Sequence, residues 1–165
     1  MEIVQDRALL FRTRAADQIT ALIPKSKIID DGDEPQILVN WGFEEVQLLR
    51  NLGVKDVPSP IVGRYKWPGI FAPFAHQKTT AEFLTLHPRC FVFNEAGTGK
   101  TSAAAWAADY LMQQGRVTRV LVVCPVSIME TAWRSDLFKT VMHRRVAIAS
   151  GDRRRREAVI KGDYE

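Results

Sequence analysis

Cys90-Phe91-Val92-Phe93-Asn94-Glu95-Ala96-Gly97-Thr98-Gly99-Lys100-Thr101 is the stretch from which the rest of the chain can be read. Four mostly bulky apolar residues predict a buried strand. Two glycines one residue apart then allow a tight turn. Ser102-Ala103-Ala104-Ala105-Trp106-Ala107-Ala108 opens a strongly helical run. Strand, glycine turn, Lys-Thr and helix form the layout of a phosphate-binding loop. The backbone N–H groups of Glu95, Ala96, Gly97, Thr98 and Gly99 would face phosphate oxygens, and the helix N-terminus would add its partial positive charge. Lys100 would reach the β and γ phosphates, and the Thr101 hydroxyl would hold Mg²⁺. Asn94 stands where the usual pattern G-x-x-x-x-G-K-[ST] has its first glycine. The plainer reading is an ordinary strand-to-helix turn that contains glycines and Lys-Thr.

Composition is that of a globular chain, with 46% hydrophobic and 25% charged residues over 165 positions. No apolar run approaches a membrane span, and the N-terminus lacks a basic stretch followed by an apolar core. The expected location is therefore cytoplasmic, or nuclear in a eukaryote, and not secreted. Cys90 and Cys124 each lie in an apolar run and read as buried, reduced residues. His76, His87 and His143 show no metal-ligand spacing. The net charge of +4 is uneven: residues 1–57 hold 7 Lys/Arg against 10 Asp/Glu, and residues 58–165 hold 16 against 9. Basic charge gathers on the part that carries the glycine loop, as a polyanionic partner would require, though solubility alone would also account for it.

Upstream, residues 3–11 predict a strand and Ala15–Ile23 a short helix stopped by Pro24. Lys27–Asp30 and Gln36–Asn40 predict a hairpin around Asp31-Gly32-Asp33-Glu34-Pro35. Asp30 and Asp31 end an apolar run, as Mg²⁺-holding acids do in nucleotide hydrolases. A strand running into an Asp-Gly turn is the better account of them. Phe43–Leu52 reads as a helix ending at Gly53, with Phe43, Val46 and Leu49 on one face. Residues 1–57 thus predict a small mixed α/β accessory domain, and the proline-rich residues 58–72 a linker. From residue 73 to 165, helices alternate with apolar runs at 90–93, 119–124 and 145–149. Ser127 and Glu130 have the spacing of a capping box for the helix that follows. Gly151-Asp152 opens a last helix that begins Arg153-Arg154-Arg155-Arg156. Such alternation predicts a parallel sheet covered on both faces, with ligands at the carboxyl ends of its strands.

Three motifs stand in order: Phe74-Ala75-His76-Gln77, then Asn94 to Thr101, then Val122-Val123-Cys124-Pro125-Val126-Ser127 with Trp133 six residues on. Together they resemble the first RecA-like lobe of superfamily-two helicases, and more closely the Swi/Snf-type DNA translocases, whose loop usually begins Asp-Glu where this chain has Asn94-Glu95. The resemblance covers roughly residues 70–165. It implies a partial RecA-like P-loop domain that binds ATP with Mg²⁺. Gln77 would read the adenine edge, and Pro125, Val126 and Ser127 would touch the DNA backbone, single- or double-stranded. Residues 1–57 look more faintly like the accessory region ahead of the motor in annealing-helicase-like members. Trp133 reads as core, and the four arginines read equally well as a DNA contact or a solvated face.

The family's acid pair, Asp-Glu at the end of a later strand, has no counterpart after Thr101. The expectation is therefore a piece of a motor that binds nucleotide but does not turn it over without the remaining part of that motor. A non-enzymatic binding module is the alternative. A small nucleotide-kinase-like enzyme, with Arg153–Arg156 as its lid, is the third reading.

Overall fold

Two alternating stretches build the first unit's core. In β2 (Ala8–Arg12) and β4 (Gln36–Asn40), every second residue is apolar and buried. The antiparallel register sets Leu9 opposite Val39 and Phe11 opposite Ile37, so all four share one face. The edge strands β1 (Glu2–Val4) and β3 (Lys27–Asp30) flank them, giving the sheet order β1-β2-β4-β3. Helices α1 (Ala16–Leu22) and α2 (Phe43–Asn51) contribute Ala16, Ile19, Val46 and Leu49 to the buried set. The computed structural model describes residues 1–165, divided into the units Met1–Arg64 and Tyr65–Glu165.

The expected hairpin, α1 and α2 are all present. The single strand expected over residues 3–11 is instead two. Gln5 and Asp6 both take positive φ, 50° and 52°, and turn the chain back on itself without a glycine. Asp30 ends β3 and pairs with Arg12 at 2.9 Å, as a strand-end residue would.

Trp41 closes this unit. Its ring is fully buried, its Nε1–H donates to Pro58 O at 2.8 Å, and the Arg64 guanidinium lies 5.7 Å from the ring centroid. Trp41→Ala is expected to cost about 3–5 kcal/mol in urea unfolding, the range for deleting a large core aromatic. Trp41→Phe keeps most of the volume and should cost about 1–2 kcal/mol, because the Pro58 carbonyl loses its donor. A loss below 1 kcal/mol for the alanine variant would show that the ring is not what holds this unit closed.

The second unit is built around α5 (Lys100–Gln113), whose buried face includes Ala103, Trp106, Ala107 and Tyr110. An aromatic chain packs on it: Tyr65 meets Tyr110 edge-on at 5.8 Å, while Trp67 and Phe71 meet Trp106 at 5.8 and 5.9 Å. Trp106 Nε1–H donates to Pro68 O at 2.8 Å. The other helices after the short α3 (Ile61–Arg64) are α4 (Ala75–Leu86), α6 (Ser135–Thr140) and α7 (Arg153–Lys161).

The protein is mixed α/β, but its one sheet is the antiparallel one; the parallel RecA-like sheet expected from the sequence is not formed. Residues 90–93, 119–124 and 145–149 pair with no neighbouring strand. Phe91 and Phe93 are 81% and 90% exposed, and Leu121 and Val123 stand equally open. An apolar run records a preference for extended, buried backbone, but a ladder also needs a neighbour to accept each N–H and donate to each C=O. Cys90 and Cys124 are consequently half-buried rather than enclosed, and both are free thiols. The capping box expected at Ser127 is also absent. Val126–Ile128 is a 3-10 turn and Met129–Arg134 a π-helical segment leading into α6, so Ser127 lies inside a turn, and Glu130 pairs with Arg134 at 2.9 Å. Trp133 is half-buried.

Candidate phosphate-binding site

The loop between residue 94 and α5 is shaped by its glycines. Gly97 and Gly99 have φ of 77° and 73°, and Gly99 caps α5 in the left-handed conformation. A Cβ on Gly99 would also lie 2.1 Å from Gln77 Nε2, so a side chain there would push that amide from its place against the loop. The helix ladder starts only at Ala103, whose N–H donates to Gly99 O at 3.1 Å. The amides of Gly97, Thr98, Gly99, Lys100 and Thr101 donate to no group within the protein. They belong to a loop followed by a helix of fourteen residues, whose dipole favours an anion there.

Helix α4 braces this loop. Gln77 is buried and uses both ends of its amide: Oε1 accepts from Phe74 N–H at 3.0 Å, and Nε2 donates to Thr98 O at 3.3 Å. His76 Nε2 also lies 3.0 Å from Thr98 O. A carbonyl only accepts, so Nε2 carries the proton. Asn94 Nδ2 donates to Thr80 Oγ1 at 2.9 Å, and that hydroxyl donates to His76 O at 2.8 Å. The side chain found where the pattern has glycine therefore fastens the loop's start to α4.

Lys100 folds back on the loop. Its Nζ donates to Asn94 O at 2.9 Å and Glu95 O at 2.7 Å. Thr98 Oγ1 donates to Glu95 O at 2.9 Å. Gln77, Glu95, Thr98, Gly99 and Lys100 are thus brought together, with Ala96, Gly97 and Thr101 contiguous in the same loop and first helical turn. Pro125, Val126 and Ser127 make only local hydrogen bonds: Pro125 O accepts from Ile128 N–H, and Ser127 O from the Thr131 hydroxyl.

No protein-family model, curated protein or solved structure matches this chain. No group of three or more His, Cys, Asp or Glu residues is placed to hold a metal ion, and no helix is long and apolar enough to cross a membrane.

One cluster lay outside the sequence reading. Asp109, 1% exposed, accepts from Tyr65 Oη at 2.5 Å and Gln113 Nε2 at 2.9 Å on one oxygen. Its other oxygen accepts from Arg144 Nε at 2.6 Å and His143 Nε2 at 2.9 Å. Burial alone would raise its pKa, but the hydrogen bonds from Tyr65, Arg144 and His143 together hold the carboxyl below its ordinary value. Burial, then the bond to Asp109, pushes the Tyr65 hydroxyl up. The available signal was that Asp109 is the one acid in the alanine-rich run from Lys100 to Gln113.

Proposed function

We propose that this chain is the nucleotide-binding part of an ATP-dependent DNA translocase or helicase-like remodeller. The observation that carries the reading is the set of amides from Gly97 to Thr101 with no partner in the protein, beside Lys100 and at the start of a long helix. These groups fit Mg-ATP. The amides would bind phosphate oxygens, Lys100 would leave Asn94 O and Glu95 O for the β and γ phosphates, and Thr101 would hold the ion. Mg²⁺ would neutralise phosphate charge. Gln77 keeps one further N–H and one lone pair with which to meet an adenine edge. The DNA backbone would lie along Pro125, Val126 and Ser127.

On this reading, the unpaired runs 90–93, 119–124 and 145–149 would join a RecA-like parallel sheet only where further motor elements supply their neighbours. Turnover needs groups that hold the ion opposite Thr101 and orient water, and residues 1–165 are proposed to bind without hydrolysing. Titration calorimetry with Mg-ATP tests the reading. Saturable binding that Lys100→Ala abolishes is expected. No heat with either protein would leave the alternative, a DNA- or protein-binding module that keeps the loop only as a fold element.

A further inference from the structure

Helix α7 has the charge of a docking element and almost none of the packing of a structural one. None of its residues is buried, and Val159 alone is half-buried. Asp152 fixes its start by accepting from Arg155 N–H at 2.8 Å. Within it, Arg153 is spent on Glu157 at 2.6 Å, and Arg156 donates to Gly151 O. The acids that follow are also taken: Arg145 binds Asp163, and Glu165 faces Arg144 and Arg145. The side chains of Arg154, Arg155 and Lys161 have neither an ion pair nor a hydrogen bond; Arg155 is bonded only through its backbone N–H.

At 100° per residue, Arg154 and Lys161 fall within about 20° of each other around the helix, and Val159 lies roughly 140° away. Arg154 and Lys161 therefore share the face turned from the half-buried side, whereas the third free cation, Arg155, lies about 40° from Val159 around the helix. Arg154 and Lys161 are about 10.5 Å apart along the axis, and the small Ala158 lies on the same side. We infer that the Arg154–Ala158–Lys161 face of α7 is a second contact for the DNA backbone. The choice of DNA as the polyanion rests on the function proposed above; the availability of the face does not.

The test is DNA affinity of the whole chain as a function of salt, using a 25-base-pair duplex and its single strand. Removing both cations in Arg154→Ala/Lys161→Ala should weaken duplex binding roughly tenfold or more at 0.1 M salt. It should also flatten the log–log salt slope by about 1.8, two phosphates' worth. A charge-matched control in the first unit, Lys25→Ala/Lys55→Ala, should change neither. Circular dichroism should be unchanged, because both replaced residues are exposed and neither side chain has an ion pair or hydrogen bond. An unaltered slope in the α7 variant, an equal loss in the control, or no DNA binding by the parent protein would overturn the inference. Lys100→Ala separates the two claims. If it leaves Mg-ATP binding intact, the proposed function fails while a flattened slope still assigns α7. If it abolishes binding and the α7 variant keeps the parent slope, the inference about α7 fails alone.

Discussion

If the proposed function holds, replacing Lys100 with alanine should lower Mg-ATP affinity by at least about 100-fold, which is roughly 2.7 kcal/mol. An ammonium on phosphate makes charge-assisted hydrogen bonds worth about 1.5–3 kcal/mol each. Against that gain stands the loss of its two bonds to Asn94 O and Glu95 O, neutral acceptors at a half-open site. Charged contacts are stronger than neutral ones, so the exchange favours the nucleotide. The alanine variant gives up both sets and should stay folded, because Lys100 lies at the first turn of α5 and outside its buried face. Lys100→Arg is the sharper control. It keeps the charge but brings a planar fork in place of a compact ammonium, so it should recover only part of the affinity. Calorimetry at fixed Mg²⁺ reads all three proteins. Equal affinities would mean that the ammonium never leaves the loop carbonyls.

Asp109→Ala is the largest expected loss of stability in the second unit. Removing the carboxylate strips a partner from Tyr65, Gln113, His143 and Arg144 at once. Breaking one side of a buried pair costs about 3–5 kcal/mol; here Arg144 and His143 keep partial access to water, which favours the lower end. Tyr65→Phe leaves the ion pair and should cost about 1–2 kcal/mol. The pH dependence has a defined sign. Asp109 has a depressed folded pKa, so its contribution is complete above about pH 3.9 and lost as pH falls through the lower folded value. Tyr65 has a raised one, so its contribution is complete below about pH 10 and lost above that. Urea midpoints measured from pH 2 to 11 should fall at both ends in the parent protein. In Asp109→Ala the acid limb should flatten. A parent-like acid limb in that variant would assign the acid sensitivity elsewhere.

These two sites differ in how far the residues announced them. The loop was legible because its parts are adjacent: two glycines, a lysine, a threonine and an alanine-rich helix within a dozen residues. The β3–β4 hairpin and α2 were legible for the same reason, each carrying its own stop in Asp31-Gly32 or Gly53. Besides Gln113 one helical turn on, the Asp109 cluster draws in Tyr65, His143 and Arg144 from 34 to 44 positions away along the chain, and no local pattern encodes that meeting. The turn at Gln5-Asp6 hid because neither residue is a glycine, and only the aspartate is of a type enriched in the left-handed region. The parallel sheet was over-read. Apolar runs at 90–93, 119–124 and 145–149 are real, but the fold they would join depends on neighbours that an apolar run does not name.

Phe91 and Phe93, stacked at 5.9 Å in open water with no backbone hydrogen bond along Cys90–Phe93, give the protein a colloidal character of its own. An uncharged, β-prone ribbon with idle amides is a template for copies of itself. Sulfate or phosphate salts should promote that clumping, whereas rising salt should loosen any hold on nucleic acid. Light scattering across a salt series would therefore climb while DNA release proceeds, leaving a window at low ionic strength in which the chain is both dispersed and bound.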